Sequence, residues 1–557
     1  MRNRTATIRH LGSIGVALLL TTACSGGGGG GGDSAGGNVT APPPVTPPAQ
    51  GLVSAASTFT AGCNGVVNSG TLYVNAEVEP HIAINPTNPN NLIASWQQDR
   101  WSDGAAQGVG IAFSFDAGAT WTTRALPASR CGGGNSSNGG DYARATDPWV
   151  TFSPNGTAYQ MSLAINGAIL QPGSSTAMLV FRSTDGGRNW SAPVAVIADG
   201  ERFFNDKNSI TADPTDSRYV YAVWDRLTSD NRGPAMFART IDGGQSWEPA
   251  RVIYDPGVNN QTLGSVISVL PDGTVINFFA TLRVFANTTA TEMTVIRSTD
   301  KGATWSAPIR VADFRGIGTR DPETGQAIRD AGTLPQLAVS PQGVLIATWQ
   351  DARFSNGARD AVAAVRSSDG GLTWTAPVQV SSVPAAQAFT PSVNVRADGT
   401  IGISYFDMRN NTADAATLLV DHWLATSIDG TNWTDRRVTP ASFNLATAPV
   451  ARGLFLGDYM GLVSAGSNFF TLFVRTTGDL ANRNDVFIAP VGVPVASAVL
   501  PMPAASAPPM AAEYAQVSAE FQQRIHENIL QQMERRAPGW AARRGLANVP
   551  PAHRSAD

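Results

Sequence analysis

Short apolar runs that end at Pro or Gly recur along residues 65–492 and predict short β-strands separated by turns. One complete set reads as strands at 335–341, 344–349, 361–366 and 374–380, and similar sets follow about every 60 residues. Sets of four antiparallel strands with this spacing are typical of the blades of a β-propeller. The 56 glycines and 36 prolines of the 557-residue chain fit such a turn-rich, all-β protein.

The turn before the last strand of each set carries a shared motif, Ser/Thr-x-Asp-x-Gly-x-Ser/Thr/Asn-Trp, whose sixth copy is one residue shorter. The aspartate can accept backbone N–H groups across a tight turn, and the glycine allows a positive φ. The tryptophan starts the next strand and buries a large ring between neighbouring sheets. Six of the 13 tryptophans stand in this motif, which favours architecture over catalysis. The aspartates predicted to be structural are Asp116, Asp185, Asp242, Asp300, Asp369 and Asp429.

The motif resembles the Asp-box, the repeat of bacterial neuraminidases, and the resemblance covers six successive sets. It implies a sialidase-like β-propeller over residues 65–492. A seventh set begins near Tyr459 but has no box and no fourth strand. We expect residues 72–76 to supply that strand, which would close a seven-bladed ring and remove its exposed edge. The alternative is the six-bladed ring of known sialidases with this repeat.

The N-terminus is typical of an exported protein. A basic start and an apolar stretch too short to span a bilayer predict a signal peptide over residues 1–23. The segment Leu20-Thr21-Thr22-Ala23-Cys24 resembles a bacterial lipobox, which implies a lipid on Cys24; the alternative is an ordinary signal peptide with an incidental cysteine. A Gly- and Pro-rich tether follows over residues 24–64. Ser25 after the cysteine implies the outer membrane of a Gram-negative bacterium.

The C-terminal part is predicted to contain an amphipathic helix. A Pro/Ala-rich linker over residues 493–510 precedes the segment 511–557. Apolar residues recur there at spacings of three and four, namely Tyr514, Val517, Phe521, Ile525 and Ile529. We expect this stripe to dock on the propeller; the alternative is a surface for a protein partner or for self-association.

Charge and cysteine content narrow the function classes. The net charge of -4 excludes a strongly basic surface that coats nucleic acid. Besides Cys24, the chain has only Cys63 and Cys131, which we expect to form a disulfide in an exported protein. No cysteine cluster indicates a metal site, and no motif implies a cofactor.

Arginines recur in the loops between the second and third strands, each close to an acid and an aromatic residue. One interpretation is an Asp–Arg bridge that fastens each loop to its neighbour. The other is a ring of guanidiniums that binds a carboxylate ligand over the central channel. The arginines of this candidate binding set are Arg100, Arg226, Arg353 and Arg409, together with Arg320 in the long loop 313–332.

The sialidase resemblance implies a mechanism in which arginines hold a carboxylate, a tyrosine activated by a glutamate attacks the anomeric carbon, and an aspartate transfers the proton. The best tyrosine is Tyr459, because glycines bracket Asp458 and Tyr459 and suggest a close approach of backbone or ligand. The remaining candidates are Glu292 or Glu323 as activator and Asp206 or Asp147 as acid. The Phe/Tyr-Arg-Ile-Pro motif that carries the first sialidase arginine is absent.

Two functions therefore follow from the sequence. The first is a surface-anchored or periplasmic lipoprotein that degrades glycans with sialidase-like chemistry. The second is a non-catalytic propeller that binds glycans or proteins as a scaffold. A convergent acid–arginine–tyrosine group at the channel mouth would favour the first, and arginines all tied to neighbouring acids would favour the second.

Overall fold

The computed structural model describes residues 49–494, apart from 68, 287 and 331, and residues 517–546. The predicted signal peptide, Cys24, the first part of the tether, most of the linker and Tyr514 lie outside the described residues. Within the described part, the protein is nearly all β with one α-helix. None of its helices combines the length and apolar character that crossing a bilayer requires.

Antiparallel meanders of four strands recur along the chain. Two short strands come first, β1 (Gly51–Leu52) and β2 (Leu72–Tyr73). The first meander is β3 (Val78–Asn85), β4 (Asn88–Trp101), β5 (Ala106–Ser114) and β6 (Thr122–Leu126). The second is β7 (Arg144–Phe152), β8 (Ala158–Asn166), β9 (Ser175–Ser183) and β10 (Val194–Gly200), and a bridge between Ala106 and Ala145 joins it to the first.

The next meanders have the same order. They are β11 (Phe203–Ala212), β12 (Val220–Thr228), β13 (Ala235–Thr240) and β14 (Arg251–Tyr254), then β15 (Gln261–Val269), β16 (Val275–Val284), β17 (Thr289–Ser298) and β18 (Ile309–Asp313). After the two-residue β19 (Ile328–Arg329) come β20 (Gln336–Val339), β21 (Leu345–Asp351), β22 (Ala361–Ser367) and β23 (Val378–Gln379). They are followed by β24 (Ala388–Val395), β25 (Ile401–Asp407), β26 (Leu419–Ser427) and β27 (Thr434–Arg437).

The last strands are β28 (Phe443–Asn444), β29 (Leu454–Phe455), β30 (Gly461–Ala465), β31 (Asn468–Asp479) and β32 (Asn482–Gly492). Strand β28 pairs with β26, and β29 runs parallel to β19. Short 3-10 helices span Arg353–Ser355, Leu445–Thr447 and Ala542–Arg544. The first strands of successive meanders, β3, β7, β11, β15, β20, β24 and β30, contact one another in that order, and β30 also contacts β3.

The prediction that residues 72–76 complete the last sheet is wrong. Strand β1 takes that place, with Gly51 opposite Ile488 and Leu52 opposite Phe487 of β32. Residues Leu72 and Tyr73 pair with β4 instead, and of this segment only Ala76 makes a bridge to β32. The physical reason is local: Asn75 has a left-handed φ of 55° and its N–H donates to Asp99 Oδ1, which turns the chain out of an extended path.

The Asp-box turns have the bonds that their sequence predicts. In the fourth copy, Asp300 Oδ1 accepts Thr304 N at 2.9 Å, Asp300 Oδ2 accepts Thr304 Oγ1 at 2.6 Å, and Gly302 has a φ of 82°. Bonds from Thr304 and Ser298 lower the pKa of Asp300 to about 2. The box tryptophan also packs between sheets, because the Trp305 ring lies 5.4 Å from the ring of Phe237 in the preceding meander.

Two further predictions are confirmed. Cys63 and Cys131 form a disulfide that ties the segment before β2 to the loop after β6. The helix α1 (Ala519–Arg536) begins at the cap residue Ser518, later than predicted, and Phe521 and Ile529 of the predicted stripe are buried. Phe521 packs against Ile317 and Ala352, so the apolar stripe docks on the β-structure.

Candidate functional site

Five of the seven first strands share a backbone feature at the same position, a residue with a left-handed φ where the pairing with the next strand shifts register. In β15 and β24 these residues are Gly264 and Thr390. In β3, β7 and β11 they are Glu79, Asp147 and Lys207, with φ values of 54°, 51° and 52°. The kink is therefore a repeated feature of the first strands, although residues other than glycine adopt it rarely. The shared kink brings one charged side chain from each of β3, β7 and β11 into a single cluster.

The centre of this cluster is the ammonium group of Lys207. Its Nζ lies 2.5 Å from Asp458 Oδ2, 3.7 Å from Asp147 Oδ2 and 3.8 Å from Glu79 Oε1. Arg329 completes it from β19, with Nη2 2.7 Å from Asp458 Oδ2 and Nε 3.1 Å from Asp458 Oδ1. The three carboxyl side chains are at most 5% exposed. Five charges from distant parts of the chain therefore share one poorly solvated volume.

Glycine allows the Asp458 segment to approach β3. Gly457 has a φ of 142°, and a Cβ there would lie 2.6 Å from Glu79 N. The Glu79 N–H donates to Leu456 O at 3.3 Å across this contact. The predicted close approach of backbone around Asp458 and Tyr459 is confirmed, and it is what places Asp458 beside Glu79.

A third cation, Arg100, lies close to the cluster. The Arg100 guanidinium donates to Gln97 Oε1 at 2.6 Å and lies over the Phe455 ring at 4.9 Å. Arg329 lies over the same ring at 4.3 Å. Burial and the neighbouring Arg329 lower the pKa of Arg100 to about 10. Gln97 also donates to Glu79, so Arg100 is linked to the cluster through a single amide.

The surroundings of the three carboxyl groups in the cluster shift their pKa values in opposite directions. Burial raises the pKa of Glu79 well above its ordinary value, and the opposing attraction of Lys207 does not cancel this effect. Burial also opposes ionisation of Asp458, but Arg329 and Lys207 outweigh it and hold the pKa of Asp458 well below its usual range. For Asp147, Lys207 and bonds from Thr146 and Glu79 outweigh burial and lower the pKa. Burial thus favours the protonated form of Glu79, and the neighbouring cations favour the ionised forms of Asp147 and Asp458.

Aromatic rings lie next to these acids. His81 stacks on Trp149 with ring centroids 3.9 Å apart, and Trp149 lies 5.1 Å from Tyr459. His81 and Trp149 keep part of their surface exposed. Burial lowers the pKa of His81 to about 3, so the imidazole is neutral, and its Nδ1 accepts Val150 N at 3.3 Å. The rings offer a partly exposed aromatic surface beside the buried carboxyl groups.

Tyr459 is in the cluster, but its surroundings do not activate it. The hydroxyl donates to Pro148 O at 3.0 Å, and burial together with Glu79, Asp147 and Asp458 raises the tyrosine pKa well above 10. Glu292, the predicted activator, pairs with Arg283 at 2.9 Å instead. The other candidate, Glu323, lies in an exposed turn with its N–H on Asp321. The glutamate that contributes to the raised pKa of Tyr459 is Glu79.

The C-terminal helix reaches the edge of the same site. Arg536, the last residue of α1, pairs with both Asp206 and Asp225. Asp206, the predicted proton donor, is therefore held by a guanidinium, while its neighbour Lys207 enters the cluster. These contacts attach the end of α1 to β11 and β12, next to Lys207.

The predicted arginine ring does not converge. Arg226 pairs with Asp199, Arg353 with Asp351 at 2.9 Å, and Arg409 with Asp407 at 2.6 Å. The Arg226–Asp199 pair joins two neighbouring sheets, as a fastening bridge would, whereas Arg353 and Arg409 pair with aspartates of their own loops. Arg100 alone of the set lies in the Lys207 cluster, and Arg320 lies elsewhere, donating to Gln531 of α1 at 3.0 Å.

Sequence reasoning missed Glu79 and His81, and it named Arg329 only as part of a loop. A signal for Glu79 was present, because Glu79-Pro80 and Asp147-Pro148 both place an acid and a proline at the start of a first strand. No three His, Cys, Asp or Glu side chains in the described ranges are arranged to hold a metal ion.

Comparisons with known proteins give the following similarities. A scan of family models and a search of curated proteins both found no match. The structure is similar to polysaccharide lyase Uly1, with 11% identity, a TM-score of 0.46, and coverage of 81% of this chain and 100% of that chain. It is similar to the Hadza microbial sialidase Hz136, with 18% identity, a TM-score of 0.40, and coverage of 59% and 63%. It is also similar to the alpha-L-arabinofuranosidase Arb93A from Fusarium graminearum, with 13% identity, a TM-score of 0.40, and coverage of 65% of this chain and 93% of that chain.

Proposed function

We propose that this protein is a seven-bladed β-propeller that cleaves glycosidic bonds at the Lys207 cluster. The observation that carries the proposal is the contact of one ammonium group, that of Lys207, with three buried carboxyl groups, those of Glu79, Asp147 and Asp458. Burial raises the pKa of Glu79, whereas the neighbouring cations lower the pKa values of Asp147 and Asp458. Carboxyl groups whose environments drive their pKa values apart are the acid–base pair that glycoside hydrolysis needs. The succession of first-strand contacts from β3 back to β3 supports the ring.

Each group has a distinct role in this proposal. Glu79 donates its proton to the glycosidic oxygen as the bond from that oxygen to the anomeric carbon breaks. Asp147 stabilises the positive charge that develops at the anomeric carbon. A water hydroxyl then joins that carbon, and the water's proton returns to Glu79. Lys207 and Arg329 keep Asp458 ionised, and the His81–Trp149 stack supports the sugar ring.

This assignment differs from sialidase chemistry at the nucleophile. A tyrosine nucleophile must lose its proton, and the buried acids around Tyr459 raise the cost of that loss. We therefore assign Tyr459 to positioning: its hydroxyl holds Pro148 O, next to Asp147. Substrates with and without a carboxylate both belong in the test.

The test is hydrolysis of a panel of aryl glycosides that includes the sialoside, with wild type and three variants. We expect Glu79→Gln to lower kcat by about a hundredfold or more, because it cannot donate a proton. Tyr459→Phe should lower kcat by less than about tenfold. Glu201→Gln, an exposed glutamate that accepts Gly173 N, is the matched control and should be unchanged. A Tyr459→Phe loss equal to that of Glu79→Gln would favour the tyrosine nucleophile instead.

A second candidate function is glycan or protein binding without catalysis. Its support is the pairing of Arg226, Arg353 and Arg409 with aspartates, that of Arg226 in the neighbouring sheet and those of Arg353 and Arg409 in their own loops, as expected where loops serve architecture. If wild type releases no aryl group from any glycoside but still binds a glycan, this candidate replaces the enzymatic one.

We further propose that the protein is exported and anchored through a lipid on Cys24, outside the described residues. The support is the charged start, the short apolar stretch and the lipobox-like segment before Cys24. Metabolic labelling with a tagged fatty acid tests it. Wild type should carry the label and fractionate with outer membranes, and Cys24→Ser should lose the label. A Cys24→Ser protein that keeps the label would contradict the anchor.

A further inference from the structure

A cavity of about 350 Å³ lies apart from the Lys207 cluster, beside the docked helix α1. The loop before β20, the turn before β22 and the start of β24 form its walls, and α1 closes one side. Its floor is apolar and includes Ile317, Ala386 and Met408, which are buried. Three arginines line it, namely Arg320, Arg359 and Arg524.

Each of these arginines bonds a neutral acceptor. Arg320 Nη2 donates to Gln531 Oε1 at 3.0 Å, Arg359 Nη1 donates to Pro384 O at 2.9 Å, and Arg524 donates to Gly357 O. Within the ranges that the structure describes, none of the three forms an ion pair with a carboxylate. They differ in this from Arg226, Arg353 and Arg409, each of which pairs with an aspartate.

Asp360 and Asp321, which are next to the lining residues Arg359 and Arg320 in the chain, accept bonds from backbone N–H groups. Asp360 accepts Ile317 N and Gly318 N at 2.9 Å each, and burial raises the pKa of Asp360 to about 8. Asp321 directs its oxygens to its own turn, where Glu323 N donates at 2.9 Å. The cavity therefore combines unmatched positive charge with an apolar floor.

Size and charge together select a class of ligand. A water molecule takes about 30 Å³ of liquid volume, so the cavity is far larger than one small oxyanion needs. Its volume falls in the range of small-molecule sites, and guanidiniums bind carboxylate or sulfate oxygens through paired N–H bonds. We propose that this cavity is a separate binding site for an acidic monosaccharide unit, whose carboxylate or sulfate group is held by Arg320, Arg359 and Arg524.

The site rests on its own geometry and does not require that the Lys207 cluster be catalytic. The site brings Arg320, which the sequence indicates as a candidate ligand-binding residue, together with Arg524 of α1. Helix docking thus completes the cavity, and an acidic glycan chain would be held on the same molecule that carries the channel site.

Calorimetric titration of the full chain tests the proposal with four probes: glucuronic acid, glucose 6-sulfate, glucose and inorganic sulfate. We expect at least one of the two acidic sugars to bind at least about tenfold more tightly than glucose and than inorganic sulfate, because neither of these supplies both the ring and the charge. Which acidic sugar binds distinguishes carboxylate from sulfate recognition. Equal binding of glucose, or sulfate binding as tight as the acidic sugar, would overturn the proposal.

Variants locate the site. Arg359→Gln and Arg524→Gln should each weaken binding of the acidic sugar by about tenfold or more. Arg436→Gln is the matched control, because Arg436 also bonds a neutral carbonyl, Gly492 O at 3.2 Å, but lies away from the cavity. Glu79→Gln should leave binding unchanged. Weaker binding in Glu79→Gln would place the ligand at the Lys207 cluster. Unchanged binding in both cavity variants would refute the site. Thermal melting of each variant confirms that it is folded.

Discussion

The Nζ atom of Lys207 lies 2.5 Å from Asp458 Oδ2, although 251 positions separate the two residues. This contact joins the kinked start of β11 to the loop before β30. Because Asp147 and Glu79 lie within 4 Å of the same Nζ atom, one ammonium group balances three buried carboxyl groups with the help of Arg329. The packing of these strands and the charge balance of the candidate site therefore depend on the same side chain.

Replacement of Lys207 by methionine should be strongly destabilising. The variant keeps the length of the side chain but leaves three buried carboxyl groups without their shared cation. We expect a loss of about 3 to 5 kcal/mol in the free energy of unfolding, as for other buried ion pairs that lose one partner. Denaturant unfolding followed by tryptophan fluorescence measures it.

The chain offers a close control, because its only other lysine is Lys301. Lys301 Nζ lies 2.8 Å from Asp213 Oδ2, but Asp213 keeps bonds from Thr215 and Tyr221 when the ammonium is removed. Lys301→Met should cost only about 1 kcal/mol. Equal losses in the two variants would show that the Lys207 cluster has no special energetic role.

The proposed acid predicts a particular pH profile. A carboxyl group with a raised pKa keeps its proton above pH 4.5, the ordinary pKa of a glutamate, and loses it only as the pH rises through the raised value. Activity that needs protonated Glu79 should therefore persist above pH 4.5 and fall as the pH rises through the raised pKa of Glu79. The rate of aryl glycoside hydrolysis against pH measures this limb. In Glu79→Gln the residual activity should lack it, and an unchanged alkaline limb there would assign the proton to another group.

The aspartates of the Asp-box-like turns should make the stability of the protein depend on pH. Asp300 has a lowered pKa of about 2, so its contribution is complete above the unfolded pKa of about 3.9 and disappears as the pH falls through about 2. Asp300→Ala should lose about 1 kcal/mol at neutral pH and almost nothing near pH 2, since the turn is exposed and screened. Unfolding by denaturant at several pH values checks this.

Asp479→Ala is the comparison for that experiment. Asp479 is also exposed, at the end of β31. Its carboxylate accepts one backbone N–H, from Ala481 at 2.8 Å. We expect a smaller loss than in Asp300→Ala. A larger one would mean that the box carboxylate is not what stabilises its turn.

The disulfide should stabilise the N-terminal segment. Cys63 and Cys131 are 68 positions apart. Closing a loop of that length raises the free energy of the unfolded chain by at most about 4 kcal/mol, because it lowers the conformational entropy of that chain. Reduction, or Cys63→Ser combined with Cys131→Ser, should lower the denaturation midpoint and increase hydrogen exchange in the loop after β6. An unchanged midpoint would indicate that this segment unfolds independently of the sheets.

Local features were predictable because their physics is local. The Asp-box turn needs one aspartate, one glycine and one hydroxyl within a few positions, and Asp300 makes the bonds that this spacing implies. The stripe of Phe521 and Ile529 follows from helical periodicity alone. The strand that pairs with β32 was not predictable in this way, since β1 and residues 72–76 are both short and apolar, and the turn at Asn75 decides between them.

The sequence by itself determined the strand-and-turn repeat, the structural role of the box aspartates and the pairing of the cysteines, because spacing along the chain sets these features. Only the tertiary structure decided which ionisable groups act together. Glu79, Asp147, Lys207, Arg329 and Asp458 are far apart in the chain and become one electrostatic unit when the strands assemble. Their proton affinities arise from burial and from distances of a few ångströms, and neither quantity exists before the chain folds.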